Sequence, residues 1–93
     1  MIEQNESFIT EVETYASLMF SKEEIAVILE VDPVQLVDLL EDQDNHVFRA
    51  FQRGRLKREA EVRKGIFDLA QNGSSPAQTF AMKLIDNAKA NDV

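Results

Sequence analysis

At 93 residues, 44% apolar and 29% charged, the chain is long enough for a modest core, too short for a roomy active-site cleft, and too hydrophobic to be disordered throughout. It has no cysteine, which excludes disulfides and thiolate metal sites. The net charge of −7 argues at first against nucleic acid, but the average hides a polarity along the chain.

Residues 1–44 hold 12 acidic side chains against a single base, Lys22; residues 45–64 hold seven basic and two acidic ones; the remainder holds two and three. The first residues are polar and acidic, unlike a basic-then-apolar secretory signal, and no apolar run approaches the length of a bilayer. A soluble, cytoplasmic protein with no membrane association is expected.

In chain order, Phe8, Val12, Tyr15 and Met19 recur at helical spacing, which predicts a first helix over 6–19. Glutamates crowd its start, where carboxylates favour the positive end of the helix dipole. Ser21 and Glu24 have capping-box spacing, with Phe20 and Ile25 at staple positions, so a second helix starts at Ser21. Asp32 as N-cap and Pro33 in the first helical position start a third helix, whose apolar side is Leu36, Leu39 and Leu40.

The link between the second and third helices is only about 30–32, which reads as a helix-turn-helix. Ile25, Ala26, Leu29, Val31, Leu36 and Leu39 stand where such motifs keep their core. Glu30 stands where many have glycine, so either the turn differs or the second helix runs slightly longer.

A long fourth helix is expected over about 46–72, capped by Asp44 or Asn45 and stopped at Gly73. Its apolar stripe is broken. Val47, Phe48 and Phe51 lie near the start, Val62, Ile66, Phe67, Leu69 and Ala70 near the end, and between them stands a basic stretch containing Gly54, a residue that permits a bend. The first part should pack on the helix-turn-helix and the last on a fifth helix. Ser75 as N-cap, Pro76 in the first turn and Gln78 at the capping-box position start that helix, and Phe80, Ala81, Leu84, Ile85 and Ala88 line it. The expected fold is all-α: residues 1–44 as N-terminal helix plus helix-turn-helix, residues 45–93 as a long basic helix and C-terminal helical hairpin. Two helices alone bury little, so the hairpin is expected to pack on the first helix or on another subunit.

Arg49, Arg53, Lys57 and Lys64 step by four, four and seven, on one stripe of the fourth helix, with Arg55, Arg58 and Arg63 on other sides. Such a stretch suits phosphate contact, strengthening with each charge neutralised and weakening with salt. The same cations could instead neutralise the acidic half of the chain or of a neighbouring subunit. The third helix is a poor base reader. Its outward residues Val34, Gln35, Val37, Asp38 and Glu41 include no Arg or Lys, and only Gln35 could read an adenine edge. With Lys22 and Gln35 as secondary contacts, the candidate DNA-binding set is Arg49, Arg53, Arg55, Lys57, Arg58, Lys64, Lys22 and Gln35.

Chemistry is harder to find. His46 stands alone, and Asp42, Asp44 and His46 start like a calcium loop but continue with Val47 where glycine and Arg53 where glutamate are needed. Serines and carboxylates form no nucleophile–base–orienter set, and no glycine-rich phosphate loop is present. Neither catalysis, a metal nor a cofactor is expected.

The segments FSKEEIAVILEVDPVQLVDLLE (20–41) and FRAFQRGRLKREAEVRKGIFDLAQNGSSPAQTFAMKLI (48–85) resemble the small terminase subunits of tailed bacteriophages and prophages. The shared pattern is a helix-turn-helix, an aromatic-rich AF-x-x-GR segment, an Ala/Glu/Arg-rich helix, and a small-residue turn before a last helix. It covers most of the chain with loose motifs. The resemblance implies a phage or prophage protein that recognises double-stranded viral DNA for packaging, assembles into rings through paired helices, and recruits a separate large-terminase ATPase subunit. The competing expectation is a protein–protein interaction or regulatory module on a helix-turn-helix scaffold.

Overall fold

Residues 2–92 are described by the computed structural model, and all regular secondary structure among them is helical. The helices are α1 (Glu6–Ser17), α2 (Lys22–Ile28), α3 (Pro33–Leu39), α4 (His46–Gln71) and α5 (Ser75–Asn91). They form two compact units, Met1–Arg58 and Glu59–Val93. The division falls inside α4, whose apolar start belongs to the core of the first unit.

That core gathers Val12 and Ala16 of α1, Ile25 and Ala26 of α2, Leu36 of α3, Leu40 just beyond it, and Val47 and Phe51 of α4. Every helix start in this unit is written in side-chain chemistry. The Asn5 side-chain Oδ1 accepts from the Phe8 amide at 2.8 Å. The Ser21 hydroxyl accepts from the Glu24 amide at 3.1 Å while the Glu24 carboxylate accepts from the Ser21 amide at 2.9 Å. That reciprocal pair holds the Glu24 carboxyl below its ordinary pKa, chiefly through the Ser21 backbone N–H. The Asp32 carboxylate accepts from the Val34 and Gln35 amides. Of the two caps expected for α4, Asn45 serves, accepting from the Val47 amide at 2.7 Å.

Three helix ends follow one design. At α1, α2 and α4, the residue after the C-cap takes a left-handed conformation: Met19 at φ 67°, Glu30 at φ 57° and Gly73 at φ 97°. Each end then closes with a pair of backbone bonds: Met19 to Ala16 and Phe20 to Tyr15, Glu30 to Val27 and Val31 to Ala26, Gly73 to Ala70 and Ser74 to Leu69. This is the Schellman arrangement. α1 therefore stops at Ser17, two residues before the end its periodicity suggests. The corner between α2 and α3 uses the conformation glycine favours, with Glu30 in it.

A left-handed non-glycine residue costs roughly 1–2 kcal/mol, part of which glycine returns through its looser unfolded state. Glu30 is exposed, so its side chain offers little in compensation. Glu30→Gly should raise the stability of the protein by about 0.5–1 kcal/mol, read as a higher urea midpoint at unchanged slope. A lower midpoint would mean that the Glu30 side chain holds the corner.

Gly54 is buried, and a Cβ there would run into the carbonyl oxygen of Glu13 and lie 3.2 Å from the Ala16 Cβ. Its role is clearance, letting α1 and α4 approach backbone to backbone.

In the second unit, α5 is capped one residue earlier than its sequence suggests. Ser74 is the N-cap, with its hydroxyl facing the Ala77 amide at 3.4 Å, and Ser75 is the first helical residue. Gln78 is then too far along for a capping box, and its side-chain amide donates to the Ala70 carbonyl at 3.1 Å, tying α5 to the end of α4. Ala77 and Ala81 are buried; Leu84 and Ile85 are half-buried; Val62, Leu69, Phe80 and Met82 are exposed. Of the residues expected to line α5, Phe80 and Ala88 face solvent. No helix in the described residues is long and apolar enough to cross a membrane.

Candidate nucleic-acid interface

The basic side chains of α4 in the first unit have two kinds of employment. Arg55 and Arg58 close the end of α1. The Arg58 Nε donates to the Ser17 carbonyl at 2.7 Å, and an Arg55 terminal nitrogen donates to the Phe20 carbonyl at 3.0 Å. Carbonyls past a helix C-terminus carry the negative end of the dipole and lack intrahelical partners, so a guanidinium there is favoured twice over. The Arg55 guanidinium also lies over the Phe51 ring at 4.5 Å, and the Lys22 ammonium lies 5.9 Å from the same ring. Arg55 is thus part of the architecture, and one of its nitrogens, Nε, is buried without a hydrogen-bond partner.

Arg53 and Lys57 meet Glu13 of α1. The Arg53 Nε and a terminal nitrogen both reach the Glu13 Oε1 at 2.6 Å, and the Lys57 Nζ lies 3.9 Å from Oε2. The Arg53 and Lys57 side chains are nevertheless 49% and 67% exposed. Exposed pairs of this kind contribute about 0.2–1 kcal/mol, so an incoming phosphate can exchange for the carboxylate at small cost. Arg49, one turn earlier, is exposed and has no ion pair among the described residues.

Lys64 belongs to the second unit. It pairs with Asp68 one turn on at 2.8 Å, and that hydrogen bond, with the added charge attraction, holds the ammonium above its ordinary pKa. Arg63 beside it is exposed.

The expected set therefore divides. Arg49, Arg53 and Lys57 share an open face of α4; Arg55, Arg58 and Lys22 are turned to α1 and Phe51; Lys64 sits in the other unit; and Gln35 is exposed on α3. Glu13, which binds two of the expected phosphate contacts, was not foreseen. The available signal was its place between the buried Val12 and Ala16, but nothing in the sequence says which neighbour that edge of α1 meets.

α3 offers no cation. Val34 is 70% exposed, and Gln35, Asp38 and Glu41 are exposed. From residue 23 to residue 44 there are eight carboxylates and no base.

Comparison of the chain with protein-family models, with curated proteins and with solved structures finds no match.

Proposed function

We propose that the protein is a phage-type DNA-binding adaptor resembling a small terminase subunit, a non-catalytic homo-oligomer that engages viral DNA for packaging in a bacterial cytoplasm. The carrying observation is the open face of α4, where Arg49, Arg53 and Lys57 reach solvent directly behind a helix-turn-helix and only a surface carboxylate, Glu13, competes for them. On this reading α4 grips phosphate, α3 contributes little base reading, and affinity comes from several copies acting together. A large ATPase subunit is the partner that the resemblance implies.

Titration of labelled duplex at two or more salt concentrations tests it. Binding should weaken steeply with salt, and Arg49→Ala with Lys57→Ala should lower the slope of log K against log salt by about 2. Glu13→Gln should strengthen binding, because it releases Arg53 and Lys57 to the phosphates. No binding at low salt, or a slope indifferent to all three substitutions, sinks the reading.

The second reading, a protein-binding module on a helix-turn-helix scaffold, is favoured by a separate observation: the helix that would face bases is acidic and apolar.

A further inference from the structure

We infer that the solvent face of the α2–α3 corner is a docking site for a basic amphipathic segment of another protein, one that presents an aliphatic anchor flanked by lysine or arginine. The inference deepens the second reading and does not require α4 to hold DNA.

Val27 and Val34 are 72% and 70% exposed, more than any other large apolar side chain of the described residues. Neither helix needs them: Ile25, Ala26 and Leu36 already supply the buried faces. Pro33, Val34 and Val37 line a shallow groove of about 220 Å³ together with Glu23 and Asp38. Asp38 also borders a second groove, of about 410 Å³, with Ile2 and Leu39 in its walls. Gln4 and Gln35 complete the second groove, so one carboxylate borders both hollows, in a stretch with eight acids and no base.

That chemistry selects its occupant. Exposed valines beside a groove favour burial under an apolar side chain. The surrounding carboxylates repel a phosphate backbone and draw in cations, steering encounter and register. A cationic amphipath satisfies both conditions. The occupant is assigned to a different protein, and a second copy, whose Arg49, Arg53 and Lys57 are also exposed, is the competing occupant that the self-association outcome of the test detects.

The test uses the full chain and a synthetic amphipathic peptide of leucine and lysine, followed by residue-resolved amide NMR. Shifts should concentrate at Glu23, Val27, Val34, Val37 and Asp38. Replacing the peptide's leucines with serine, or its lysines with glutamate, should abolish them. Val34→Ser and Asp38→Lys should each weaken binding about tenfold, while Asp86→Lys, the same charge change on α5, should not. A dispersed amide spectrum establishes that each variant is folded.

Shifts spread over acidic residues regardless of leucine overturn the site, as does equal damage from Asp86→Lys. Peptide binding confined to another surface overturns this site but leaves the protein-binding reading intact. Self-association through the same amides, or duplex DNA shifting them, reassigns the surface and also overturns the inference.

Discussion

Gly54→Ala should lower the stability of the protein by about 2 kcal/mol, and Gly65→Ala, eleven residues on in the same helix, should raise it by about 1 kcal/mol. Alanine is the better helix former at both sites by about 1 kcal/mol. The sign is decided by what the new methyl group meets. At Gly65 there is nothing within 4 Å. At Gly54 the obstacle is the main-chain carbonyl of Glu13, with the Ala16 Cβ behind it. Backbone cannot swing aside as a lysine tip can, so α1 must move, and Val12 and Ala16 move with it out of a core where both are fully buried. Overpacking of this kind typically costs about 1–3 kcal/mol, and a contact against backbone lies at the upper end. Urea midpoints at constant slope measure both substitutions. If Gly54→Ala proves as stable as the parent, the close approach of α1 and α4 is not what the glycine secures.

Arg55→Ala should also destabilise by about 2 kcal/mol, whereas Arg53→Ala, two residues away, should lose less than about 1 kcal/mol. Both are arginines of one basic stretch. Arg53 makes an exposed ion pair. Arg55 donates to the Phe20 carbonyl from a half-buried position and stacks on Phe51. A hydrogen bond from a charged donor contributes about 1.5–3 kcal/mol and the cation–π contact about 0.5–2 kcal/mol. The unpartnered Nε offsets part of that sum. Functional assays need this distinction. On the proposed DNA-binding reading, and under conditions where both variants are folded, Lys57→Ala should reduce the salt slope by about 1, and Arg55→Ala should leave it unchanged. A reduced slope in Arg55→Ala would restore that residue to the DNA contacts.

Helix starts were legible because capping is local. Ser21 with Glu24, Asp32 with Pro33 and Asn45 each bond to amides two or three residues away, and no distant part of the chain enters. The one misplaced start, Ser74 and not Ser75, arose where two serines stand together and either hydroxyl meets the local rule. Helix ends carried a weaker mark: the α2–α3 link was placed to within a residue, whereas α1 was expected to run to Met19 and stops at Ser17. Gly73 announced itself; Met19 and Glu30 adopt the same conformation without the signature. The expectation that the halves of α4 pack separately followed from the gap in its apolar stripe, and Val47, Ala50 and Phe51 do lie in the first unit's core region.

The fate of the charges was not legible. A run of seven bases is one-dimensional information, and its chemistry depends on which helix lies beside it. Tertiary packing put Glu13 against Arg53 and Lys57, and the end of α1 against Arg55 and Arg58. The sequence by itself determined an all-helical chain, its capped corners, an acidic α3 and a basic α4, because those depend on composition and on bonds spanning a few residues. Only the tertiary structure decided which cations remain open to solvent, why Gly54 is glycine, and that Val27 and Val34 stay uncovered. Those outcomes require knowing which surfaces meet across tens of residues of chain, and periodicity says that a face is buried without saying against what.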